Sequence, residues 1–273
     1  MNDKILENMD CKDKYQGREK SKNMMSKILI LFLLFCFTSY SQVKPENNVY
    51  ITKFIKLIKL NDIEGISELI RFPLNREYPI PPVKTKSDFV KRFDEIFDNH
   101  LKNEILSSTI KDNWSEVGWR GIMLNQGTLW LDYDGSLIAV NYQTKYEKEL
   151  LSRITSAQKK KLHESIKKFS KSILELETEK YKIRIDETSE SNYRYSAWSK
   201  DKEMSDKPNI IIQNGKLEFD GSGGNHRYIF KNKEYTYECS IIVLGEEESP
   251  PAILTVYKNE NIILKQNATK LID

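Results

Sequence analysis

Apolar residues in the first third of the chain recur at helical spacing: Ile51, Phe54, Ile55 and Ile58, then Ile63, Ile66, Leu69 and Ile70. Side chains three and four apart share one helical face, so this pattern predicts two short helices. Asn61-Asp62 breaks them and supplies an Asx cap for the second, which Pro73 ends. After the proline-rich loop "YPIPPVKT", Ser87 is expected to cap a third helix, "DFVKRFDEIFDNHL". Its apolar face is Phe89, Phe93, Ile96, Phe97 and Leu101.

The period then changes to two. "VGWRGIMLNQGTLWLDYDGSLIAVNYQ" alternates, with turn signals at Asn125-Gln126-Gly127 and Asp134-Gly135. Strands are predicted at Val117 to Leu124, Thr128 to Tyr133 and Ser136 to Tyr142. "TSAQKKKLHESIKKF" reads as a connecting helix capped by Thr155 or Ser156, with Leu162, Ile166 and Phe169 on one face. From Ile173 onward only strand patterns remain, punctuated at Asn214-Gly215, Asn232-Lys233 and Asn259-Glu260-Asn261. Roughly seven or eight short strands at such spacing predict a sandwich or small barrel.

The runs "LIRFPLN", "DFVKRFDEIFD", "GWRGIMLNQGTLWLD" and "LIAVNY" together resemble exported bacterial domains of the SnoaL-like, nuclear-transport-factor-like, cystatin-fold group. The resemblance covers about a third of the chain, Asn47 to Tyr142, the size of one small domain. It implies N-terminal helices packed on a curved antiparallel sheet that forms a cone. No enzymatic motif of that group matches residue for residue. "FDGSGGNHRYIFKNKEYTYECSIIVLGEEESPPAILTVYKN" is similar to C-terminal domains of secreted Bacteroidetes proteins, and that likeness carries no activity. The expected fold is therefore α+β: a leader over 1–41, a SnoaL-like domain over 42–150, a connecting helix over 151–172 and an all-β domain over 173–273.

One segment stands apart. In "MMSKILILFLLFCFTSYSQ" a lysine precedes an apolar run from Ile28 to Phe37, followed by small and polar residues. A membrane-spanning helix takes ~20 apolar residues. This shorter run has the layout of a secretory signal, with cleavage expected between Ser41 and Gln42. The polar leader ahead of it leaves Met1, Met24 and Met25 as alternative starts. An uncleaved anchor and a lipoprotein acylated on Cys36 are the rivals, and bulky Phe35 argues against the second. The apolar run ending in Ser-Gln is similar to secreted Bacteroidetes proteins, which implies a secreted or periplasmic site without a stable membrane span.

Composition narrows the chemistry. The 273 residues carry 43 basic and 40 acidic side chains. Removing the leader leaves 36 basic and 35 acidic. So balanced a surface has no concentrated basic patch to bind nucleic acid. "QKKKLHESIKK" reads as a solvated helix face. Cleavage removes Cys11 and Cys36, and Cys239 then has no disulfide partner within the chain.

Nucleophilic catalysis needs a Ser or Cys beside a His that a carboxylate orients. Only His100, His163 and His226 are present, and no serine lies in a G-x-S-x-G turn. Clustered metal ligands and a cofactor motif are lacking in the sequence, and "DYDGS" reads better as a hairpin turn than as a calcium loop. In "FDGSGGNHRYIF" the glycines lead into a strand pattern, whereas a phosphate loop needs a helix there.

Three candidate sets remain. Asp94 and Asp132, with Glu95 beside them, are the carboxylates that a hydrolytic cone would use. Trp119, Arg120, Trp130 and Tyr133 could stack on a sugar or peptide, the plainer reading being that the tryptophans pack across strands. Asn225 and His226 could present a recognition edge. The leading expectation is a non-enzymatic protein that binds a small molecule, a glycan or an envelope protein. A hydrolase and an inhibitor or immunity-type protein are the alternatives.

Overall fold

The computed structural model describes residues 41–271, apart from 222 and 247. The secretory segment, its alternative starts and Cys36 lie outside the described residues. No described helix is long and apolar enough to cross a membrane.

The helices of the front region are α1 (Asn48–Leu60), α2 (Ile63–Ser67), α3 (Lys86–Ile96), α4 (Asn99–Ser107) and α5 (Ile110–Asn113). Side-chain caps start four of them: Asp62 accepts from the Gly65 amide, Asp98 from Leu101, Thr109 from Asp112, and Thr85, not Ser87, from Asp88. Four short strands follow, β1 (Trp114–Glu116), β2 (Ile122–Leu124), β3 (Leu129–Leu131) and β4 (Leu137–Val140), antiparallel in chain order. Phe89, Phe93 and Phe97 fill the core beside them, with the rings of Phe93 and Phe97 stacked at 5.2 Å.

The expected α+β architecture, helices on a curved sheet followed by a sandwich or small barrel, is overturned. The fold is mostly β, and its dominant body is a closed eight-strand antiparallel barrel. The front sheet is small because its strands have only three or four residues, too few to wrap a cone. The strand predicted over Val117 to Leu124 is broken by Gly118 and Gly121 at φ 50° and 106°, which put Gly118–Arg120 into a 3-10 turn.

The barrel strands are β5 (Lys171–Thr178), β6 (Tyr181–Ser189), β7 (Asn192–Ser199), β8 (Ile210–Phe219), β9 (His226–Asn232), β10 (Tyr235–Ile241), β11 (Ala252–Lys258) and β12 (Asn261–Leu271). Each pairs with its chain neighbour, and β12 closes on β5 through Ala268 opposite Thr178. Closure removes the open edges that a sandwich would have to protect. Two-residue hairpins at Glu190-Ser191, Lys233-Glu234 and Asn259-Glu260 use positive φ at Ser191, Lys233, Asn259 and Glu260. Asn214-Gly215 is not a turn: β8 runs straight through it as a bulge, with Asn214 at φ 61°.

The helix after the front sheet, α6 (Lys145–Lys161), starts earlier than the sequence pattern predicts, on a Thr144 cap. Leu162, Ile166 and Phe169 follow it and pack on the outward-facing Trp198 of β7. This segment covers the outer wall of β6 and β7, so Arg184, Asp186 and Arg194 there are buried. They survive burial as a network. Asp186 accepts from Arg184 Nε at 2.8 Å and from Arg194 Nη2 at 2.6 Å, while Glu175 pairs with Arg184.

Candidate functional site

The two carboxylates that a hydrolase would need do not meet in a cavity. Asp94 is 87% exposed and faces Lys102 Nζ at 3.1 Å. Asp132 binds Arg71 at 2.6 Å and accepts from the Tyr133 amide at 2.7 Å. Glu95 faces Arg92 at 3.3 Å. The core behind them is filled by the Phe89, Phe93 and Phe97 rings. Of the histidines, His100 stacks on Tyr142 and His163 caps a 3-10 turn at Ser165.

Among the aromatic candidates, Trp119 and Arg120 sit exposed on the 3-10 turn. The Tyr133 hydroxyl holds that turn by donating to Gly118 O at 2.6 Å. Trp130 stands elsewhere, half-buried on β3 between Met123 and Ala139.

The glycine-rich stretch is the connection from β8 to β9, where Gly221 and Gly224 turn at φ 72° and 87°. Asn225 fastens it to the next loop. Its Oδ1 accepts from the amides of Val243 and Leu244, both at 2.8 Å, and its Nδ2 donates to Leu244 O at 2.9 Å. His226 Nδ1 lies 2.8 Å from Gly224 O. Asn225 and His226 thus serve the loop, and the side chains turned outward there are Phe219, Val243 and Leu244.

At the other mouth of the barrel, beneath the hairpins at 179–180, 233–234 and 259–260 and the loop 200–209, a cavity of about 460 Å³ opens. Tyr181, Tyr195, Tyr235 and Tyr237 line it with Leu254 and Val256. Ile263 and Leu264 form an apolar lip, and Ser199 and Asn209 add polar groups. The volume lies in the ~300–1,000 Å³ range of small-molecule sites, and an eight-strand barrel is just wide enough to hold one such ligand. The floor is closed by Phe230, packed 5.4 Å from Tyr195.

The geometry also shapes the tyrosine chemistry. Burial pushes the Tyr195 phenol well above its ordinary pKa, and Cys239, Tyr237 and Tyr181 push it in the same direction. Tyr237 is raised by burial, then by Tyr235 and Tyr181. These phenols stay protonated at neutral pH and present O–H donors to the cavity.

Sequence reasoning did not single out this set. Its signal was the spacing of two in "YRYSAW" and "YTYEC", which puts Tyr193 with Tyr195, and Tyr235 with Tyr237, on one strand face. No known family model, curated protein or solved structure matches the chain.

Proposed function

We propose that this chain is a secreted or envelope protein that binds a small molecule in the tyrosine-lined mouth of its barrel. The observation that carries the reading is the open cavity of about 460 Å³ inside an otherwise filled β-barrel. Its walls are mostly aromatic and aliphatic with a few polar groups, the composition expected of a ligand site. The secretory pattern ahead of Gln42 supports the location.

The test is fluorescence titration of the purified protein with Nile red, alongside the variant Ala197→Phe, whose ring would project into the cavity from β7. Saturable binding of one probe per chain, lost in a folded Ala197→Phe variant, supports the reading. Equal binding by the variant, or no saturable binding of neutral, anionic or cationic probes by the parent protein, overturns it.

A further inference from the structure

We infer that the barrel cavity selects an uncharged, ring-bearing ligand with a hydrogen-bond acceptor and rejects carboxylate lipids. This rests on the reading of the cavity as a ligand site and names what it takes.

Charge is the first discriminator. None of the lining residues is Lys, Arg, His, Asp or Glu. At this mouth Lys258 places its Nζ over the Tyr235 ring at 5.5 Å and 3.8 Å from Glu234. It is already paired and does not line the cavity. A carboxylate drawn into the barrel would lose its water with no cation to replace it, a heavy penalty in an apolar wall. A cationic ligand would find tyrosine faces but no anion in the lining to replace its water.

Hydrogen bonding is the second. Tyr195 is only 2% exposed, and among the described residues its hydroxyl has no hydrogen-bond partner. Tyr237 is half-buried, and its hydroxyl likewise has no hydrogen-bond partner among the described residues. Both lie on the cavity wall. Neither hydroxyl is among the buried polar atoms shut off from solvent, so both open on the cavity and can donate to an acceptor that enters it. Asn209 strengthens the donor character: its Oδ1 accepts from the Ser199 amide at 3.1 Å, which turns the amide N–H₂ into the group left for a ligand.

Shape is the third. The Tyr195 ring lies 5.5 Å from that of Tyr237 at 39°, giving rigid planar surfaces that suit a flat ring system. A flexible acyl chain would have to surrender its rotamer freedom to lie against them.

The experiment compares three probes that share one ring and differ in charge: methyl 2-naphthoate, 2-naphthoate and trimethyl(2-naphthyl)ammonium. Each is titrated against the purified protein by displacement of Nile red. The ester is expected to bind at least about tenfold more tightly than either ion, because only the ions bury an unpaired charge. Tyr195→Phe and Tyr237→Phe should each weaken the ester about three- to tenfold, the loss of one hydrogen bond, with unchanged melting temperature. Equal or tighter binding of the carboxylate or the ammonium, or Phe variants as tight as the parent, overturns the inference while leaving a ligand cavity in place. Failure of all three probes and of Nile red overturns the underlying reading instead.

Discussion

The ring of Phe230 occupies the space above Gly215 so closely that a Cβ added there would lie 2.1 Å from its Cε1. Gly215 follows the bulge in β8, opposite Tyr193, and Phe230 is fully buried on β9. The missing side chain lets the ring drop into the barrel and close the cavity floor. Gly215→Ala should therefore overpack the core and cost about 1–3 kcal/mol. A urea midpoint lowered at unchanged slope is the expected readout, and a variant at least as stable as the parent would show that the ring yields freely.

Cys239 lies on the inner face of β10, wholly buried, and burial pushes its thiol up to about 12. At pH 8 only about one thiol in ten thousand would be thiolate, even before access is considered. The native protein should resist iodoacetamide over hours and react promptly in guanidinium, as read by intact mass. Rapid labelling of the native state would contradict the burial of this strand face.

How far these features were legible in the sequence depends on the range of the interaction. Helices α1 and α3 are visible in the spacing of Ile51, Phe54 and Ile58 and of Phe89, Phe93 and Ile96, because a helical face is a local pattern. Barrel closure is not local: Ala268 meets Thr178 across most of the β region, with no signal at either residue. The same two letters, Asn214-Gly215, suit a turn or a bulge, and only Phe230 decides between them. On β6 and β7 the alternation is hidden because the outward Arg184 and Arg194 are buried as deeply as the inward Ile183 and Tyr195. The tyrosine spacing was readable, but which end of a barrel stays unfilled is a property of all eight strands.

Glu175 makes stability depend on pH in a defined direction. Burial raises its carboxyl pKa, Arg184 opposes the shift, and Asp186 adds to it. A carboxyl raised in the folded state holds its proton more tightly there than in the unfolded chain. Its contribution is full below the ordinary carboxylate pKa and is lost as pH rises through the raised value. The melting temperature of the parent relative to Glu175→Gln should therefore fall as pH rises from 4 toward neutrality. A relative rise over that interval would show that pairing with Arg184 outweighs burial.

Asp186 and Asp94 are both paired aspartates, and their environments set opposite expectations. Asp186 is fully buried between Arg184 and Arg194. Asp186→Asn leaves two buried guanidinium groups sharing no anion at that point, and breaking such a pair costs about 3–5 kcal/mol. Asp94 pairs with Lys102 from a side chain that is 87% exposed. Its replacement by Asn removes an interaction screened by water and salt and should change stability by less than about 1 kcal/mol. Chemical denaturation of the two variants side by side checks both numbers. Because Asp186 faces away from the cavity, on the outer wall of β6, any Asp186→Asn protein that remains folded should still bind Nile red as the parent does. Binding lost by that folded variant would place the ligand on the outer wall instead of in the barrel.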